Sequence, residues 1–69
     1  MQEKVVSNVL KFRKKNKVTQ EELAEGVGVT RQTIIAIEKG NYTPSVLLSL
    51  NLAKFFKTSV EKLFNIENI

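Results

Sequence analysis

The chain has 69 residues, 42% hydrophobic and 26% charged, which describes one small globular domain, residues 1–69, rather than a disordered segment. It contains no cysteine and no histidine. Disulfides and the usual zinc sites are therefore excluded, no cofactor is expected, and stability must come from packed helices and, where the core runs short, from a partner subunit. The formal charge of +4 adds a bias toward a polyanionic partner.

The start, Met1-Gln2-Glu3-Lys4-Val5-Val6, has no apolar signal-peptide core. No apolar run reaches the ~18 residues of a membrane span, because Lys54 and Lys57 break the longest one. A cytoplasmic protein with no membrane partner is expected. The first helix is expected from about Asn8 to Asn16, with Ser7 as its N-cap and Val9, Leu10 and Phe12 as its apolar stripe. Five of the eleven basic residues, Lys11, Arg13, Lys14, Lys15 and Lys17, fall here within seven positions. Such a run suits either a polyanion or simply the negative end of the helix dipole.

Thr19 opens the second helix, and Glu22 three residues later completes a capping box. Val18 and Leu23 form a hydrophobic staple around that cap, Leu23, Ala24 and Val27 face inward, and Gly28 stops the helix in a left-handed turn. Gly26 interrupts its interior, at a cost of ~1 kcal/mol against alanine. The same grammar then repeats. Val29 and Ile34 staple around Thr30, Ile34 and Ile37 face inward, and Gly40 is the stop. Two short helices joined by a tight glycine turn, from Gln20 to Lys39, are the strongest local signal in the chain.

After the turn Asn41-Tyr42-Thr43-Pro44, Ser45 caps a fourth helix, Val46 to Phe56. Its residues Val46, Leu47, Leu48, Leu50, Leu52, Ala53, Phe55 and Phe56 leave almost no polar face, so it is either central or shared with another subunit. Thr58 and Glu61 make a further capping box for a short fifth helix with Val60, Leu63 and Phe64. The tail from Asn65 to Ile69 is read as extended, with Val5-Val6 as its pairing partner. The expected fold class is all-α, five helices with a small terminal β pairing.

A helix-turn-helix needs a small residue where its helices touch, a residue tolerating positive φ in the turn, and apolar residues that lock the angle. Ala24, Gly28, and Val29 with Ile34 and Ile37 supply these in turn. At this point Gln20 through Ile34 resembles the Cro/phage-repressor (Xre) helix-turn-helix family. The resemblance continues through Ile37-Glu38-Lys39-Gly40, Thr43-Pro44-Ser45, Leu50, Ala53, Val60-Glu61 and Leu63-Phe64, covering about residues 9–64. Length and ending are most similar to the compact dimeric members of the cytolysin-repressor type. The resemblance implies a sequence-specific transcriptional regulator of double-stranded DNA, in the first instance a repressor. It also implies a homodimer on a palindromic operator, with recognition helices ~34 Å apart. Activation is equally compatible with the DNA-binding half. With no His or Cys, no phosphate-cradling glycine loop and no paired carboxylates outside helix ends, an enzyme is not expected.

At about 100° per residue, Gln32, Ile35, Ala36 and Lys39 lie opposite Ile34 and Ile37, with Arg31 and Thr33 flanking the helix start. Gln32 suits a bidentate contact to adenine, Arg31 a guanine edge or a phosphate, and an exposed Ile35 with Ala36 the thymine methyl groups. By the resemblance, Gln20 grips a phosphate at a positive helix end, and Thr30 caps its helix and touches phosphate. Lys39, Asn41 and Tyr42 are further phosphate candidates, Tyr42 equally a cover for the core edge. Arg13 and Glu38 match a pair often bonded in the family, a structural tie. Leu10 and Leu47 stand where members are usually polar, as exposed leucines or as an extended interface. The dimer surface is assigned to Val60, Phe64, Ile66 and Ile69, and no pocket for a small-molecule effector is evident. The rival reading is an antitoxin that binds a partner toxin and represses its own promoter.

Overall fold

The computed structural model describes residues 2–69. They run β1 (Glu3–Ser7), α1 (Val9–Lys15), α2 (Gln20–Val27), α3 (Arg31–Lys39), α4 (Val46–Phe55), α5 (Val60–Leu63) and β2 (Phe64–Asn68). No helix among the described residues is long and apolar enough to cross a membrane.

The helix starts follow local side-chain chemistry. Thr19 accepts from the Glu22 N–H at 3.0 Å while Glu22 Oε1 accepts from the Thr19 N–H at 2.9 Å, so both arms of the capping box are closed. The Thr19 N–H, and after it the Thr19 hydroxyl, hydrogen-bond the Glu22 carboxyl and hold it below its ordinary range. Thr30 and Ser45 each accept a backbone N–H from three residues on, Thr33 and Leu48. Gly28 and Gly40 take φ of 75° and 78°, the left-handed region that ends α2 and α3.

Two expected caps fall elsewhere. Ser7 is the last residue of β1, so Asn8 takes the cap position of α1, and Ser7 Oγ accepts from the Val9 N–H at 3.2 Å. Thr58 belongs to the end of α4 instead of the start of α5. Lys57 adopts φ 55°, which turns the Thr58 N–H back onto Ala53 O at 2.9 Å and leaves Ser59 as N-cap, with no side-chain bond. α4 accordingly ends at Phe55, and α5 is a single turn.

The chain termini pair more extensively than Val5-Val6 alone. β1 and β2 form an antiparallel ladder from Glu3↔Asn68 through Val5↔Ile66 to Ser7↔Phe64. The Asn8 N–H donates to Leu63 O at 2.7 Å, which joins the sheet to the end of α5. The core lies between the helices and comprises Val9, Leu23, Ala24, Ile34, Ile37, Leu48, Leu52, Ala53 and Leu63, with Phe12, Phe55, Phe56 and Phe64 packed around it. α4 is central on one side only. It buries Leu48, Leu52 and Ala53, yet Val46 and Leu47 remain 76% and 70% exposed, and Leu50 is exposed beside them.

The second helix also explains its own glycine. A Cβ added at Gly26 would overlap Phe55 Cε2 and sit 2.8 Å from Phe55 Cδ2. The Phe55 ring in turn packs edge-on against Phe56, with centroids 5.1 Å apart. Gly26 is therefore the gap into which α4 inserts an aromatic ring.

Candidate nucleic-acid interface

The crossing of α2 and α3 is set by Ala24, which is buried, and by the Val29 N–H, which donates to Ala24 O at 3.0 Å across the Gly28 turn. A side chain larger than Ala24 would force the helices apart. Ile34 and Ile37 are fully buried behind α3, so the opposite side of that helix has to face outward. Arg31, Gln32 and Lys39 are exposed there, while Thr33, Ile35 and Ala36 are half-buried. The expectation of an exposed Ile35 is thus corrected: it is half-buried, partly covered.

Behind α3 stands the pair Arg13–Glu38. Arg13 Nε donates to Glu38 Oε2 at 2.6 Å and Nη2 to Oε1 at 3.2 Å, with the side chains 13% and 5% exposed. The third arm, Nη1, donates to Val18 O at 3.0 Å. A two-pronged guanidinium–carboxylate pair with little water around it ties α1 to α3 and fixes the roll of α3.

Gln20, the first residue of α2, joins this pair to the outer surface. Its Nε2 donates to Glu38 Oε1 at 3.1 Å, and its Oε1 accepts from Arg31 Nε at 3.3 Å. The spacing of 18 and 11 residues between these partners carries no sequence signal.

On the other flank, Thr30 Oγ1 lies 3.1 Å from Thr33 Oγ1 in addition to its capping bond. Thr33 lines a shallow groove with Gly28, Val29, Tyr42 and Leu47. Tyr42 is 47% exposed, a partial cover for that groove at most. The Asn41 N–H closes the end of α3 on Ala36 O at 2.9 Å, and its side chain is exposed beside Lys39. The basic run of α1 is divided: Arg13 is consumed by Glu38, while Lys11 and Lys15 line a cleft with Phe12, Glu61 and Lys62 on the α5 side. Of the four residues assigned to a dimer surface, Val60 and Phe64 are half-buried against the core, and Ile66 and Ile69 are exposed.

A helix-turn-helix family model matches residues 9–63, from the first residue of α1 to the last of α5. The chain belongs to the helix-turn-helix family of transcriptional regulators. An uncharacterized HTH-type transcriptional regulator of Methanocaldococcus jannaschii is 50% identical over 64 residues, 91% of this chain and 97% of that protein. The cryptic phage CTXphi transcriptional repressor RstR of Vibrio cholerae is 35% identical over 57 residues, 83% of this chain and 51% of RstR. Among solved structures, the clp gene regulator ClgR of Corynebacterium glutamicum superposes with a TM-score of 0.74 at 28% identity, covering 78% of this chain and 57% of ClgR. The transcriptional regulator VanUg matches the whole of this chain and 92% of its own, with a TM-score of 0.80 at 20% identity, a likeness of fold. Members of this helix-turn-helix family are DNA-binding proteins, not enzymes, and the regulator's partner is double-stranded DNA.

Proposed function

We propose that this regulator binds an inverted-repeat operator as a homodimer and represses transcription there, with residues 1–69 acting as one DNA-binding domain in the cytoplasm. The observation that carries the reading is α3 itself. It is capped by Thr30 and Gly40, pinned from behind by Arg13–Glu38, and bears Arg31, Gln32 and Lys39 on its outer side. A rigid helix with polar side chains near its N-terminus is what a major groove accommodates.

In this reading Gln32 makes a bidentate contact to adenine, Arg31 meets a guanine edge or phosphate, Thr33 approaches a base edge, and Ile35 and Ala36 meet thymine methyl groups. Gln20, Thr30, Lys39, Asn41 and Tyr42 hold the flanking phosphates. The dimer forms through the C-terminal surface, where Ile66 and Ile69 offer exposed apolar side chains beside Val60 and Phe64. The similarity to a phage repressor supports repression over activation. No small-molecule effector is invoked; release follows protein concentration or a second protein.

One feature favours a second reading, an antitoxin that also represses its own promoter. The exposed Val46, Leu47 and Leu50 of α4 form an apolar stripe that a protein partner would cover. Selection of bound sequences from a random duplex pool at moderate salt, with sedimentation of the protein–duplex complex, tests the first reading. An enriched inverted repeat bound by two protomers is expected. A pool that stays random while binding remains salt-sensitive would discard sequence-specific repression and leave the protein-partner reading.

A further inference from the structure

We infer that Glu38 and Gln20 are positioning residues that hold Arg31 as a guanine reader, so that a buried ion pair sets one letter of the operator. The inference rests on the sequence-specific reading above and decides between the two contacts open to Arg31.

The Glu38 side chain is only 5% exposed. An ionised carboxylate only accepts hydrogen bonds. Oε2 is taken by Arg13 Nε, and Oε1 receives both Arg13 Nη2 and Gln20 Nε2. Arg13 cannot swing away, because its remaining arm is bonded to Val18 O. An amide facing such an acceptor has one favourable orientation, NH2 inward, since the flipped form would set its oxygen against the carboxylate. The Gln20 carbonyl oxygen is thereby turned outward, and only a donor satisfies it. Arg31 supplies that donor through Nε.

The consequence lies in which edge of the guanidinium stays free. With Nε engaged, the two Nη groups remain available as a planar pair. Two parallel donors on a rigid fork match O6 and N7 of guanine and are mismatched to adenine, which carries a donor beside its N7. A guanidinium held by its stem also loses less freedom on docking than a free one. The second amide hydrogen of Gln20 stays free for a phosphate, so the relay and a backbone contact coexist.

The test uses the duplex enriched in the random-pool selection, with each base pair of one half-site replaced in turn and affinities measured by competition for the wild type, Arg31→Ala, Arg31→Lys and Gln20→Met. The wild type is expected to prefer guanine at one position per half-site by on the order of tenfold to a hundredfold. Arg31→Ala should erase that preference. Gln20→Met should reduce it several-fold at that position while leaving preferences elsewhere unchanged, a pattern that a general loss of fold or of a phosphate contact does not produce. Arg31→Lys, which keeps the charge without the fork, should lose most of the guanine preference and a matching share of the affinity for the selected duplex, giving a second reading that is independent of how well Gln20→Met folds. Uniform weakening across all sequences in the Arg31 variants would overturn the inference and assign Arg31 to a phosphate. An unchanged guanine preference in a folded Gln20→Met would remove Gln20 and Glu38 from the relay. Failure of the pool to enrich any sequence would count against sequence-specific binding itself, before any variant is made.

Discussion

The two long sides of the molecule are built by different rules. On the α2–α3 side, all four helix ends are closed by a side-chain cap or a glycine in the left-handed region, and the first carries both arms of a capping box. Each side-chain nitrogen of Arg13 and both carboxylate oxygens of Glu38 have a partner, and Gln20 bridges Glu38 to Arg31. On the α4–β2 side, Val46, Leu47, Leu50, Ile66 and Ile69 stand exposed, and α4 ends with a lysine at φ 55° where α3 ends with a glycine at φ 78°. The contrast teaches that rigidity is concentrated where side chains must be aimed. The apolar side chains left exposed on α4 and β2 suit association.

The largest expected effect comes from breaking the polar side. Arg13→Met leaves Glu38 buried without its counter-ion, and removing one partner of such a pair costs about 3–5 kcal/mol. Lys14→Met, on the exposed side of the same helix, should change stability by less than ~0.5 kcal/mol. Urea denaturation of the two variants measures the difference, and equal midpoints would show that the pair does not hold α1 to α3.

A smaller effect tests the seam between the two sides. Gly26→Ala would raise stability by ~1 kcal/mol on helix propensity alone. With the Phe55 ring in the way it should instead destabilise, by about 1–3 kcal/mol as for other overpacked sites. Combining it with Phe55→Leu should recover part of the loss. A raised melting temperature for the single variant would mean that the ring yields without penalty.

These two sites also show what the sequence could and could not convey. Thr19 with Glu22, Thr30, Ser45, Gly28 and Gly40 act within their own helix turn, so their roles are legible from neighbours three or four residues away. The reason for Gly26 lies at Phe55, on another helix, and the partners of Gln20 lie at Glu38 and Arg31. No local pattern encodes those meetings. The misplaced caps are of a third kind. Ser7 and Thr58 are good capping residues displaced by one position, because the β1–β2 ladder claims Ser7 and the turn at Lys57 commits the Thr58 N–H to Ala53. Lysine gives no sign that it will adopt a positive φ. The outward face of α3 was legible from the inward positions of Ile34 and Ile37, but the partial cover over Ile35 was not, since it depends on neighbouring elements rather than on helical period.

On the weaker side the expected gains are modest. Lys57→Gly relieves a left-handed residue with a Cβ and should stabilise by up to ~1 kcal/mol, read as a rise in melting temperature. Lys17, at φ 56°, offers a second instance. A fall in both variants would mean that these lysines make contacts outweighing their backbone strain.

The smallest effect concerns pH. Because hydrogen bonds from Thr19 lower the Glu22 pKa in the folded chain, the capping box contributes stability above the unfolded-state pKa of glutamate. That contribution is lost as pH falls through the lowered folded value, below the ordinary carboxylate range. Amide exchange at the start of α2 should therefore quicken in that acidic window, and Glu22→Ala should remove the pH dependence there.

DNA is expected to meet the rigid side and leave the apolar side free. Titrating the regulator with its selected duplex while following backbone amide resonances tests this directly. The largest shifts are expected at Gln20, Thr30 to Ala36 and Lys39 to Tyr42, with Val46 and Leu50 little changed. Shifts centred instead on Lys11, Lys15 and Lys62, or on the exposed face of α4, would contradict it.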